Sequence, residues 1–129
     1  MCARRLDRAK LVSRAVGAEP GERVPVADSW DLLVNTTPVG TFPNCDETPL
    51  PDSAFGKGLV YDLVYNPKVT RLLEQAAEAG CDTIGGLEML VAQAREQFAW
   101  WIGVQAPKGV FEEAAQVELM RQHDTEVDR

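Results

Sequence analysis

The sequence lacks several features, and each absence removes a class of function. No apolar run approaches the roughly 20 residues that a membrane-spanning helix needs, and the N-terminus shows no signal-peptide h-region. One histidine is present, His123, in a polar stretch near the end. A Ser-His-Asp triad or a histidine-rich metal site elsewhere is therefore excluded. Cys2, Cys45 and Cys81 are an odd count with no C-x-x-C pair. They read as unbridged thiols of a reducing cytoplasm, not as a disulfide frame or a zinc site. Positive charge is short: 13 Lys and Arg stand against 20 Asp and Glu, a net charge of −7. Phosphate binding along nucleic acid needs a basic face, so nucleic acid is not expected as a partner. No segment has the G-x-G-x-x-G form of a phosphate loop, and there is no internal repeat or low-complexity linker.

What remains is a chain of 129 residues, 45% hydrophobic and 26% charged. That is enough for one soluble domain with its own core. Its clearest stretch begins at Gly85-Gly86 and runs to Ile102. Leu87, Leu90, Val91, Ala94, Phe98, Trp101 and Ile102 form an amphipathic stripe at helical spacing, and Gly103 follows where an αL cap falls. Glycines at a helix mouth let the backbone approach a ligand, and Gln93 lies two turns in. The same spacing also fits a capped core helix with a solvated Gln93.

From Ala3 to Val16 the residues suit another helix, with Leu11, Val12, Ala15 and Val16 as its apolar face and Gly17 closing it. Arg4, Arg5 and Arg8 crowd its start. The macrodipole disfavours cations there unless an anion binds between them; a solvated basic turn is the alternative. Asp31–Asn35 reads as a short buried strand, broken by Pro38 and Gly40. Residues 41–58 read as a surface loop. Leu59–Tyr65 is a second strand, ended by Asn66-Pro67, with Asn66 as N-cap and Pro67 as first residue of a helix. Val69, Leu72, Leu73, Ala76 and Ala77 supply that helix's buried face. Cys81–Ile84 is a third extended piece. A last helix spans about Val110 to Arg121, followed by a disordered tail over 123–129.

Strands alternating with helices indicate an α/β protein with a partial Rossmann-like parallel sheet, flanking helices and a C-terminal helix. Ligands of such sheets bind beyond the carboxyl ends of the strands. Asn35–Gly40, Leu63–Tyr65 and Ile84–Gly86 all lie there, so three turns converge on one expected crevice.

Three ordered motifs carry a resemblance. They are Asn35-Thr36-Thr37-Pro38-Val39-Gly40; Tyr61-Asp62-Leu63-Val64-Tyr65-Asn66-Pro67 with Thr70, Leu72 and Leu73; and Gly86-Leu87-Glu88-Met89-Leu90-Val91-Ala92-Gln93-Ala94. Together they resemble the signatures of shikimate dehydrogenase, over Ala3 to about Gly103. The resemblance implies an NADP-dependent, cytoplasmic oxidoreductase of aromatic amino-acid biosynthesis that reduces 3-dehydroshikimate to shikimate. Residues 1–103 would be part of its nucleotide-binding domain, 104–122 its C-terminal helix.

By that likeness Arg4, Arg5 and Arg8 would grip the 2′-phosphate of NADP, although Ala3 and Arg5 replace the family's Asn and Thr. Leu63 and Gly86 would lie against the nicotinamide half, with Asn35, Thr36 and Met89 nearby. Tyr65 and Gln93 would touch the substrate. The family's catalytic Lys and Asp belong to a substrate domain upstream, and none of Lys10, Lys57, Lys68 and Lys108 lies in that motif. The expected partners are the small-molecule substrate and a missing N-terminal half, in cis or in trans, with a homodimer possible. A catalytically inactive fragment, an interaction module and a quinate-acting relative are the alternatives.

Overall fold

The computed structural model describes residue 2, residues 5–21 and residues 24–127, with side chains described through residue 121. The elements are α1 (Leu6–Val16), β1 (Leu32–Asn35), a 3-10 turn (Asp52–Ala54), β2 (Leu59–Asp62), α2 (Arg71–Glu78), β3 (Asp82–Ile84), α3 (Gly86–Ile102) and α4 (Val110–Val127). The strands form one parallel sheet in the order β1-β2-β3. Register pairs Leu33 with Val60 and Asn35 with Asp62, then Val60 with Thr83. The expected α/β architecture and element order are present.

One face of the sheet carries the core. Leu33, Phe55, Val60, Leu72, Leu73, Ala76 and Cys81 cluster there, with Trp30 and Leu50 packed against them. Trp30 Nε1 donates to the Ala54 carbonyl (3.2 Å), and Gln75 Nε2 donates to Asp52 (2.6 Å), fastening the 3-10 turn to α2. The segment 41–58 is thus not wholly a surface loop: Ala54 and Phe55 are core residues. The opposite face is open, with Leu32 at 54% exposure, Val34 at 43% and Ile84 at 37%. Parallel sheets ordinarily bury both faces.

Glycine closes two helices as expected. Gly17 and Gly103 sit at φ 67° and 79°, the left-handed region where a side chain would be strained, and their N–H groups donate to Ser13 and Ala99.

Four expectations are corrected. The helix after β2 starts at Arg71, not at Pro67, and its N-cap is Thr70, whose side chain accepts from Leu73 N–H. Asn66 cannot serve, because its carbonyl is occupied by Phe42 N–H (3.0 Å) and Thr41 Oγ1 (3.1 Å). Strand β2 ends at Asp62: Leu63 N–H still makes a ladder bond to the Asn35 carbonyl of β1, and Val64 N–H then turns back to the Asp62 side chain. The buried face of α1 is Ala9 and Ser13, while Leu11, Val12 and Val16 are exposed; likewise Trp101 and Ile102 of α3 are exposed. Burial follows the neighbour a helix finds, and small residues permit the closest packing. Finally, α4 continues through the stretch expected to be disordered, as far as Val127. It contains neither Gly nor Pro, and Glu118 pairs with Arg121 one turn apart (2.8 Å).

Candidate functional site

The strand ends carry a buried polar network. Asn35 and Asp62 are partners in register at the last positions of β1 and β2. Asn35 Nδ2 donates to Asp62 Oδ1 at 2.9 Å. Asn35 Oδ1 accepts from Thr37 N–H (3.0 Å) and Thr37 Oγ1 (2.7 Å), closing an Asx turn after β1. Asp62 also accepts from Val64 N–H (3.0 Å) and from Thr70 Oγ1 (2.6 Å). Asn35, Asp62 and Thr70 are all buried. Their polar atoms would be costly there unpaired, so these bonds are obligatory parts of the fold.

Above the network opens a cleft of about 420 Å³, bordered by Thr36 and Thr37 on one side and by Leu63, Val64 and Tyr65 on the other. Tyr65 is 45% exposed, so its ring is available to a ligand. The turn after β3 joins from below: Gly86 N–H donates to the Val64 carbonyl at 3.2 Å. A Cβ on Gly86 would overlap the Leu63 carbonyl and stand 2.6 Å from that of Val64. The closeness that requires glycine here is thus between α3 and the turn after β2, within the chain, rather than toward a ligand.

The cleft brings Thr36, Leu63 and Tyr65 together over Asn35, with Gly86 attached to its wall. Met89 and Gln93 line neither this cleft nor a smaller one of about 240 Å³ between α3 and α4, where Arg95 meets Glu112 at 3.6 Å. Gln93 is exposed on α3. Arg4 lies outside the described residues. Arg5 is the N-cap residue of α1, and Arg8 is exposed in its first turn. Arg5 pairs with Asp7 at 3.0 Å, and that hydrogen bond holds the Asp7 carboxyl below its ordinary value. Two residues the sequence reading gave no role, Asp62 and Thr70, organise the network. The signal was an acid inside an otherwise apolar strand.

Comparisons with known proteins give the chain's relatives. Residues 86–116 match the family described as the Shikimate 5'-dehydrogenase C-terminal domain. The chain is 43% identical over 110 residues to the NADP(+) shikimate dehydrogenase of Methanopyrus kandleri, covering 84% of this chain and 38% of that one. It is 47% identical over 81 residues to a bifunctional 3-dehydroquinate dehydratase/shikimate dehydrogenase of Arabidopsis thaliana, covering 62% and 13%. The crystal structure of the Thermus thermophilus shikimate 5-dehydrogenase, in complex with NADP(H) and shikimate, superposes with a TM-score of 0.81 at 34% identity, over 89% of this chain and 44% of that one. The chain therefore spans less than half the length of these relatives. It belongs to the shikimate dehydrogenase family, and what it matches is that family's C-terminal portion.

Proposed function

We propose that the chain forms the cofactor-facing part of an NADP-dependent shikimate dehydrogenase, which interconverts 3-dehydroshikimate and shikimate. The observation that carries this reading is the cleft at the strand ends. It unites the turns of the first two family motifs and is joined by the Gly86 turn of the third. Its fit to the nicotinamide half rests on an open volume of about 420 Å³ bordered by Thr36, Leu63 and Tyr65. When bound, NADP supplies the hydride chemistry, and the protein supplies orientation. Leu63 and Gly86 would set the nicotinamide side, with Asn35, Thr36 and Met89 around it. Tyr65 and Gln93 would meet the substrate, and Arg4, Arg5 and Arg8 the 2′-phosphate. Guanidinium groups suit a phosphate because they donate in pairs. No residue of this chain is assigned a proton-transfer role, and the reading includes a cytoplasmic location. Residues 1–103 would act as the nucleotide-binding part and α4 as its C-terminal helix.

The test is NADP+-dependent oxidation of shikimate by the native protein that carries these residues, followed by nicotinamide absorbance. Activity that Arg5→Ala with Arg8→Ala weakens through NADP+ affinity, and not through shikimate affinity, supports the reading. Absence of that oxidation, or oxidation of quinate in its place, sinks it.

A second reading is a non-catalytic interaction module. The open sheet face at Leu32, Val34 and Ile84 favours it, together with the exposed Trp100 and Trp101. A partner polypeptide supplying the family's substrate domain, or a second copy, would cover such surfaces.

A further inference from the structure

We propose that Asp62 is a positioning residue whose buried carboxylate clamps the turns after β1 and β2 together and so sets the shape of the cleft between them. What occupies the cleft rests on the dehydrogenase reading above; the clamp itself does not.

Asp62 is fully buried, at 0% exposure. Its carboxylate only accepts, and three donors reach it from three different segments. Asn35 Nδ2 comes from the end of β1, Val64 N–H from the turn after β2, and Thr70 Oγ1 from the cap of α2. Among the described residues, no lysine or arginine forms an ion pair with it. A buried carboxylate without a cation is expensive, and it persists only where convergent hydrogen bonds offset the lost hydration. A valine would fill a strand position at far lower cost. The geometry explains the acid. Through Asn35, whose Oδ1 holds Thr37, the carboxylate reaches one wall of the cleft. Through Val64 N–H it reaches the other, between Leu63 and Tyr65. One side chain thereby fixes the separation of both walls.

The network also says which variant is informative. Asp62→Ala leaves three buried donors without partners, so its loss of activity would report only unfolding. Asp62→Asn keeps the shape but places an NH2 where Thr70 Oγ1 needs an acceptor. The Thr70 hydroxyl already accepts from Leu73 N–H at 3.4 Å, so its proton is left without a partner. Thr70→Val removes the same bond from the other side, together with the α2 cap bond to Leu73 N–H, and Thr70→Ser keeps both.

The experiment uses the native protein, with shikimate, NADP+ and 2′,5′-ADP as probes. A loosened clamp raises KM for shikimate at least about fivefold in Asp62→Asn and Thr70→Val, while the Kd of 2′,5′-ADP stays within about twofold and Thr70→Ser behaves as wild type. A purely structural role would lower kcat with the folded fraction and leave both constants alone, which overturns the proposal. Amide hydrogen exchange is read in parallel. Faster exchange at Thr37 and Val64 in Asp62→Asn, with Val60 unchanged, is the expected result. Equal protection at Thr37 and Val64 overturns the clamp. Should wild type not oxidise shikimate, the dehydrogenase reading falls, and the exchange comparison still decides whether Asp62 holds the two turns.

Discussion

Arg5 and Asp7 sit 3.0 Å apart at the mouth of α1, both largely exposed. Any anion that Arg5 receives must compete with that carboxylate. Asp7→Asn should therefore tighten 2′,5′-ADP severalfold in the native protein, measured by calorimetry. Unchanged affinity would remove Arg5 from the phosphate site. The lowered Asp7 pKa has a matching sign for stability. The pair helps the fold above the carboxyl's unfolded value and ceases to help as pH falls through its folded value. Full exposure keeps that contribution small and salt-sensitive. Gly86 makes the opposite kind of prediction. Adding a methyl there forces α3 away from Leu63 and Val64, an overpacking cost of about 1–3 kcal/mol. Denaturant unfolding of Gly86→Ala measures it, and an unchanged midpoint would show that the turn yields freely. Asp62 was visible in the sequence as an acid in an apolar strand. Its partners were not, because Thr70 and Asn35 become its neighbours only through strand register and the capping of α2.

Helices whose signals are local were legible from sequence. The α3 stripe with Gly103 behind it, and α1 with Gly17, each carry start and stop within one stretch of chain. The start of α2 was not, because it depends on a loop far upstream: Thr41 and Phe42 take the Asn66 carbonyl that an N-cap would need. Apolar faces were half legible. Periodicity shows that a helix has such a face, and tertiary contacts decide whether that face is buried. Leu72 and Leu11 make the contrast measurable. Leu72→Ala in the core should cost about 2–5 kcal/mol. Leu11→Ala, at 71% exposure, should stay within about 0.5 kcal/mol. Equal costs would mean that α1 buries its leucine against something absent from this arrangement.

Across the whole molecule, one side of the sheet carries the core, and the other is only partly covered by the described residues. Leu32, Val34 and Ile84 together form an apolar surface of the kind that drives association. Replacing Leu32 and Val34 with threonine, which keeps β propensity, should reduce concentration-dependent self-association in sedimentation without lowering the unfolding midpoint. No change in association would show that the face is inert. The order of elements and the parallel sheet were readable from alternation of strand and helix patterns. The partly covered face was not, since alternation says which residues pair in a strand and nothing about what lies above them.

The seating of α4 has its own consequence. It meets α3 through the edge-to-face pair Phe98 and Phe111, 5.7 Å between centroids, and through Arg95 with Glu112. From there the groove between the two helices runs back along Val91, Glu88 and Leu87 toward the Gly86 anchor. Because α4 packs against α3 rather than into the core cluster around Val60 and Leu72, it is the element expected to open at lower cost than the strands. Exchange of α4 amides should then be insensitive to Leu72→Ala, which weakens every amide in the sheet. Protease added to the native protein should then cut first between Gly103 and Gly109, in the connection that precedes α4.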